Sequence, residues 1–343
     1  MALVKSDIGP LLKAGLKTQF FQTFAETPSM YDRISTLIPS DKDTEQYAWL
    51  GALPGVREFL DERQSQDMTP YSYAIKNKTW ESTISVDRAA LEDDLYGQIP
   101  LRIKQMAMSA KQHLDILTFG MLAAGFTQNG YDAVPFFGTH AQGGAQSNRG
   151  TDALSAASLQ SAVTAMMRFT DDQGKPAGVT PDLLVVAPEN YWEARVLLES
   201  TYYPDPVSTA SQQLAMNPLM GSLKLLSSPY LVSPELYWEG RVLLESTYYP
   251  DPLTAASQLL AMNPLMGSLK LLSSPYLVSP TNWFLLDTKR IVKAIVLQMR
   301  KDFEFTALDD EDNAFMRDTL YYGVRARYNC GFGDWRGAYG AML

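Results

Sequence analysis

An α+β fold is predicted by three features of the sequence. A single long helical stripe runs from Leu101 to Ala124; strand-like stretches lie on both sides of it, from Arg33 to Asp87 and from Ile291 to Asn329; and between these, helix and strand alternate. The chain has 343 residues, 46% of them hydrophobic, enough for one large domain or two modest ones with real cores.

Composition excludes several classes of function. With a net charge of -9 the molecule as a whole repels phosphate, so dedicated nucleic-acid binding is disfavoured. Cys330 is the single cysteine and His113 and His140 are the only histidines, which excludes an intrachain disulfide and a zinc site rich in Cys and His. No cofactor is expected. Lys5, Asp7 and Lys13 interrupt the apolar positions of the first residues, unlike a secretory signal, and no apolar run reaches the roughly 18 residues of a membrane span. The expectation is a protein made and kept in the cytoplasm, without membrane contact.

From Leu11 to Phe24, Leu12, Leu16, Phe20, Phe21 and Phe24 follow a helical period and predict an amphipathic arm that lies on its own domain or on a neighbour. Between Arg33 and Asp87 short strand-like pieces (Tyr47 to Leu53, Tyr71 to Lys76, Thr79 to Val86) alternate with turn-forming stretches, as in a long hairpin. Two strands alone are marginal in water, so a hairpin carrying Trp49, Phe59 and Trp80 must rest on another sheet or another subunit.

Gly97 and Pro100 mark the start of the long helix, whose Ile103, Met106, Ala110, Leu114, Leu117 and Met121 form one buried stripe. His113 beside that stripe has no second ligand at helical spacing and is read as structural. Gln128 to Gly150, rich in Gly, Asn, Gln and Ser, is read as a loop. It contains His140, which lacks the serine elbow, paired cysteine or diagnostic carboxylate spacing of a catalytic loop. A second helix from Leu154 to Phe169, capped by Ser155 or Ser158, a buried strand Leu183 to Val186 and a helix from Glu189 to Glu199 follow.

Residues 191–234 recur as 237–280, with 39 of 44 positions identical; the differences are Ala194/Gly240, Val207/Leu253, Ser208/Thr254, Thr209/Ala255 and Gln213/Leu259. A solenoid needs about three stacked repeats with caps, so this is no repeat architecture. It reads as a tandem duplication inside a globular domain or as an error in assembling the sequence. In either case only one copy fills the parent fold's place, and the other forms an inserted lobe, is exchanged with a neighbour, or packs as an equivalent layer.

Near the C-terminus, Trp283 to Asp287, Ile291 to Gln298 and Leu320 to Asn329 are strand-like, and the last two suggest an antiparallel pair. The acidic run Asp309 to Asp312 lacks the ligand order of a calcium loop and reads as a solvated helix start. Gly331-Phe-Gly333-Asp-Trp-Arg-Gly337 has one residue too many for a dinucleotide fingerprint. No phosphate-binding loop, nucleophile elbow or kinase signature is present in the sequence.

Trp49 to Glu58 (WLGALPGVRE), Ile75 to Trp80 with Ser85 to Asp94, Gly130 to His140 (GYDAVPFFGTH), Phe284 to Asp287, Tyr322 to Arg327 and Trp335 together resemble the major head subunit family of Mu-like phages and prophages, which carries the Hong Kong 97 phage-type capsid fold. The resemblance spans almost the whole chain. It implies an N-terminal arm (1–32), an extended loop hairpin (33–87), a peripheral domain with a spine helix (88–150), an axial domain containing the duplication (151–290), and strands returning to the peripheral domain with a C-terminal tail (291–343). It further implies a major capsid protein assembled in a bacterial host and found in the virion. Such a protein self-assembles into pentamers and hexamers of an icosahedral shell around double-stranded DNA, with scaffold, portal and decoration proteins as further partners. Identical subunits in closed symmetry would give both the arm and the hairpin a partner. The subunit-interface candidates are Trp49, Arg57, Glu58, Phe59, Lys76 and Lys78, with the charged members setting register. Two other readings remain at this stage: a cellular nanocompartment shell of the same fold, and a cytosolic hydrolase built around His140, Asp132 and the Asp93-Asp94 pair.

Overall fold

The computed structural model describes residues 8–47, 73–87, 97–199, 202–203, 261–262, 269–277, 279–308 and 319–342. By chain contacts it divides into two compact units. One comprises Met1–Ser147, Asp171–Lys175 and Thr288–Trp335; the other comprises Asn148–Thr170, Pro176–Asp287 and Arg336–Leu343.

The first unit begins with helix α1 (Ile8–Glu26) and a single turn, α2 (Tyr31–Ile34), followed by strands β1 (Ser35–Pro39), β2 (Thr44–Tyr47), β3 (Tyr73–Lys76) and β4 (Lys78–Asp87). Helix α3 (Gln98–Ala124) comes next; it starts after Gly97, whose φ of 65° suits glycine, and carries Pro100 in its first turn, where a missing N–H costs no helical bond. Two short pairing strands follow, β5 (Thr139–His140) and β6 (Gln146–Ser147), within the stretch read as loop. The unit closes with the long strands β13 (Ile295–Leu308) and β14 (Thr319–Phe332).

β1, β13, β14 and β4 form one sheet in that order, with β1 parallel to β13 and the others antiparallel. The antiparallel pair expected near the C-terminus is therefore the centre of this sheet. Alternation along β14 buries Tyr322, Val324, Ala326, Tyr328 and Cys330 on the face that packs on α1 and α3. Opposite them lie Leu16 and Phe20 of α1 and the α3 stripe Ile103, Met106, Ala107, Ala110 and Leu114. Phe20 meets Phe305 at 5.5 Å between ring centroids and Phe24 meets Phe303 at 4.8 Å. The arm thus lies on its own domain, the first of the two placements the sequence left open.

The root of the hairpin also finds support within the chain. β2 and β3 pair antiparallel, with Tyr47 opposite Tyr73, and β4 adds a full edge to β14. Tyr47 donates its hydroxyl to Gln298 Oε1 at 2.7 Å, and Gln298 Nε2 donates to the Ile75 carbonyl at 3.3 Å. Gln298 is fully buried, so Gln298→Leu removes one buried acceptor of the Tyr47 hydroxyl and one buried donor to the Ile75 carbonyl. It should cost about 1 to 3 kcal/mol and open residues 44–76 first, read as faster amide exchange in β2 and β3 than in β14. Gly331 belongs to the same contact: Ile75 and Tyr73 pack where its Cβ would stand, and the Gly333 backbone sits against the Lys293 carbonyl. These glycines serve close packing, which accounts for the false dinucleotide spacing.

The second unit holds β7 (Arg149–Gly150), helix α4 (Ala156–Met167), β8 (Leu183–Val186), a 3-10 turn at Pro188–Asn190, helix α5 (Tyr191–Glu199), β9 (Tyr202–Tyr203), β10 (Ala261–Met262), β11 (Lys270–Ser273), β12 (Trp283–Leu286) and β15 (Ala338–Ala341). Ser155 caps α4 through a reciprocal capping box with Ser158. The five-stranded sheet runs β11-β8-β12-β15-β7. β8 and β12 are buried at every position, which explains their unbroken apolar sequences Leu-Leu-Val-Val and Trp-Phe-Leu-Leu. Ala338–Ala341, expected as part of a tail, is an interior strand between β12 and β7. The acidic run 309–312 lies outside the described residues.

Candidate assembly surface

Of the six interface candidates, Trp49, Arg57, Glu58 and Phe59 lie outside the described residues. Lys76 and Lys78 are exposed at the end of β3 and the start of β4. Between them Asn77 is buried, and its Nδ2 donates to Ser40 Oγ at 3.0 Å and to the Lys42 carbonyl at 2.8 Å. Its backbone N–H donates to the Asp43 carbonyl at 2.8 Å. The two lysines thus leave from a pinned elbow, so their backbone positions are set even though their side chains are solvated.

Beside the elbow, Asp43 pairs with Arg327 at 3.0 Å and with Arg300 at 3.5 Å. Along the ladder, Arg325 stands opposite Glu304 on one side and Glu81 on the other. Lys301 bonds Glu304 at 2.5 Å and, by that hydrogen bond and its charge, holds the exposed Glu304 carboxyl below its ordinary value. The sheet face turned away from α1 and α3 is therefore a mixed-charge surface with Arg325 at its centre. The sequence carries its signal, the alternation Val324-Arg325-Ala326-Arg327-Tyr328, but Arg325 and Arg327 were absent from the candidates.

Both histidines serve the interior of the first unit. His113 Nδ1 lies 2.7 Å from the Tyr328 hydroxyl, and its ring is 4.4 Å from that of Trp80; burial holds its pKa down. His140 and Asp132 have side chains 0% and 1% exposed, with His140 Nδ1 directed at Asp132 Oδ2 at 2.5 Å. The His140 ring stacks on Trp335 at 4.0 Å and 6°. Burial alone would raise the Asp132 carboxyl, but the hydrogen bond and charge of His140, with the Val134 N–H, hold it below its ordinary value. A general acid or base must reach its substrate, and in this arrangement neither side chain is exposed. Asp93 and Asp94, the other members of the hydrolase reading, lie outside the described residues. Among the described residues no group of side chains has metal-ligand geometry and no helix is long and apolar enough to cross a membrane. Cys330 is buried, which pushes its thiol up to about 12.

The fold is that of phage capsid proteins of the Hong Kong 97 type. The chain superimposes on a subunit of the bacteriophage JBD30 procapsid with a TM-score of 0.51 and 24% identity, over 99% of this chain and 76% of the other. The chain belongs to the Mu-like prophage major head subunit gpT family, whose model matches residues 10–151, 145–231 and 261–342. It is 34% identical over 139 residues to the Mu-like prophage FluMu major head subunit of Haemophilus influenzae, covering 40% of this chain and 45% of that protein. It is 37% identical over 112 residues to the major capsid protein of Escherichia phage Mu, covering 33% and 37% respectively. The matches therefore span less than half the length of either curated relative.

Proposed function

We propose that this chain is the building block of a tailed-phage head, assembling with copies of itself into a closed icosahedral shell that encloses double-stranded DNA. Family membership together with the capsid fold carries this reading. The pinned hairpin root supports it: strands that enter and leave residues 48–72 are fixed to the sheet by Asn77 and Gln298. In this reading residues 1–32 are the arm, 33–87 the extended loop, 88–150 the peripheral domain with α3 as its spine, 151–290 the axial domain, and 291–343 the returning strands and C-terminal segment. Trp49, Arg57, Glu58 and Phe59 of the loop meet the adjacent subunit, while Lys76 and Lys78 set its register at the root.

Affinity is spread over many modest contacts, and shell stability comes from their number. The work of the protein is assembly rather than catalysis, with scaffold, portal and decoration proteins as further partners. Net acidity suits a container, because an inner wall that bound phosphate strongly would hinder genome release. Negative-stain electron microscopy of the purified chain, alone and with a co-expressed scaffold, should show uniform shells or rings of five and six. Deleting residues 51–68 should leave folded subunits that form no closed shells; normal shells from that variant would overturn the role given to the loop.

A further inference from the structure

Helix α3 turns toward solvent a face of unexpected composition for so acidic a chain. Its inner stripe, Ile103, Met106, Ala110 and Leu114, packs on the sheet. On the opposite side Leu101, Met108 and Ile116 are 57%, 43% and 47% exposed. Exposed apolar residues scattered singly are ordinary, but these three recur about every two turns and so stand in one row along the helix. Gln105 and Gln112, both exposed, fill the turns between them, and the row carries no charge.

The charges of α3 flank that row. At about 100° per residue, Lys104 and Lys111 fall on one side of it and Arg102 on the other. Lys111 marks the side nearer α1, since its ammonium lies 4.6 Å from the ring centroid of Phe24 and 5.4 Å from that of Tyr31. The one acid of the helix, Asp115, is buried and accepts the backbone N–H groups of Met30 and Tyr31. The charges that α3 presents to solvent are therefore all positive, although the chain as a whole carries -9.

An uncharged row roughly 20 Å long with cations on both edges has a specific complement. A helix with apolar anchors on one face and carboxylates on its flanks lays the anchors on the row and directs the carboxylates to the edges. Duplex DNA is a poorer match: its phosphates would meet the cations, but Leu101, Met108 and Ile116 would be dehydrated without gaining an apolar partner. Overall acidity adds selectivity, because an acidic partner is repelled by the rest of the chain and steered to this face.

We propose that the outer face of α3 docks an acidic amphipathic helix of a partner protein, with Leu101, Met108 and Ile116 receiving its apolar anchors and Arg102 and Lys104 its carboxylates.

The probe is a labelled helical peptide of about 20 residues with leucines on one face and glutamates on both flanks, titrated against the full chain by fluorescence anisotropy. It should bind about tenfold more tightly than the same peptide with lysines in place of the glutamates, and that advantage should shrink as salt rises from about 0.05 to 0.3 M. Met108→Gln should weaken binding about tenfold, and Arg102→Gln combined with Lys104→Gln by a similar factor. All three side chains are exposed, so thermal midpoints should stay at the wild-type value. Anisotropy reads binding whether or not the subunits have assembled, so the outcome is independent of the shell reading. Failure of the glutamate peptide to bind, or equal binding by wild type and variants, would overturn the proposal. Tighter binding of a double-stranded oligonucleotide, lost in the Arg102/Lys104 variant and indifferent to Met108→Gln, would assign the face to nucleic acid instead. Self-association of the chain that Met108→Gln abolishes would assign it to a second copy.

Discussion

His140→Ala should lower the stability of the first unit by about 3 to 5 kcal/mol, the largest loss expected from any single side chain discussed above. The Asp132 side chain is 1% exposed and directs Oδ2 at His140 Nδ1, so removing the imidazole takes away the side-chain partner of a carboxylate screened from water, leaving it the Val134 N–H on Oδ1. It also removes the ring stacked on Trp335. His140→Phe separates the two effects: it keeps an aromatic face for Trp335 but no donor for Asp132, and should recover only the packing share. Because the carboxylate is the stranded group, adding Asp132→Ala to His140→Ala should cost less than the two single changes combined.

The same pair has an acid signature. The folded-state pKa of Asp132 lies below the ordinary value of a carboxyl group, held there by His140 against the effect of burial. A depressed carboxyl contributes stability that is present above its unfolded value and is lost as pH falls through the folded one. The acid limb of the unfolding curve below about pH 4 should therefore flatten in His140→Ala. Urea titrations followed by tryptophan fluorescence between pH 3 and 7 would show this, and an unchanged midpoint for His140→Ala at pH 7 would refute the structural role.

Where periodicity was long, the sequence specified the architecture. The α3 stripe, the long C-terminal strands and the apolar runs of β8 and β12 were legible because each repeats its signal over several residues. β1 and β15 were not. Ser35–Pro39 is five residues long, ends in proline and pairs in parallel with a partner some 260 positions later, so its strand character depends on β13. Ala338–Ala341 has no apolar alternation, and its small residues fit only between two strands already in place.

The assembly surface was half legible. The elbow lysines were identified, but the reason for their fixed backbone, buried Asn77 reaching Ser40 and Lys42, joins residues 37 and 35 positions apart, and no local pattern marks it. Arg325 and Arg327 read as the polar half of a strand, and only the register sets them between Glu304, Glu81 and Asp43. The family resemblance, by contrast, rested on motifs spread along the chain, and their joint occurrence made it specific.

Asp115→Ala should detach the N-terminal arm from the spine helix at a cost of about 2 to 4 kcal/mol. Asp115 interrupts the buried face of α3 at 3% exposure, a place where an unpaired carboxylate is costly. Its Oδ1 accepts the backbone N–H of Met30 at 2.9 Å and of Tyr31 at 2.8 Å. Met30 stands at the cap position of α2 and its own side chain makes no capping bond, so the carboxylate of another helix caps the turn. Alanine leaves two partly buried donors unmatched and frees the joint between α1 and β1. Asparagine should behave differently, since both bonds go to one oxygen and an amide oxygen can accept both. Burial pushes the Asp115 carboxyl up, the two N–H groups pull it down, and nearby Asp32 adds to the rise, leaving it above its ordinary value. A raised carboxyl loses stability as pH rises through its folded value, so at neutral pH the charge itself is a cost that asparagine removes. Asp115→Asn should therefore match or slightly exceed the wild type near pH 7, while Asp115→Ala unfolds earlier and is cleaved first between Glu26 and Ser35 in limited proteolysis. Equal losses in the two variants would show that the cap is not what holds the arm.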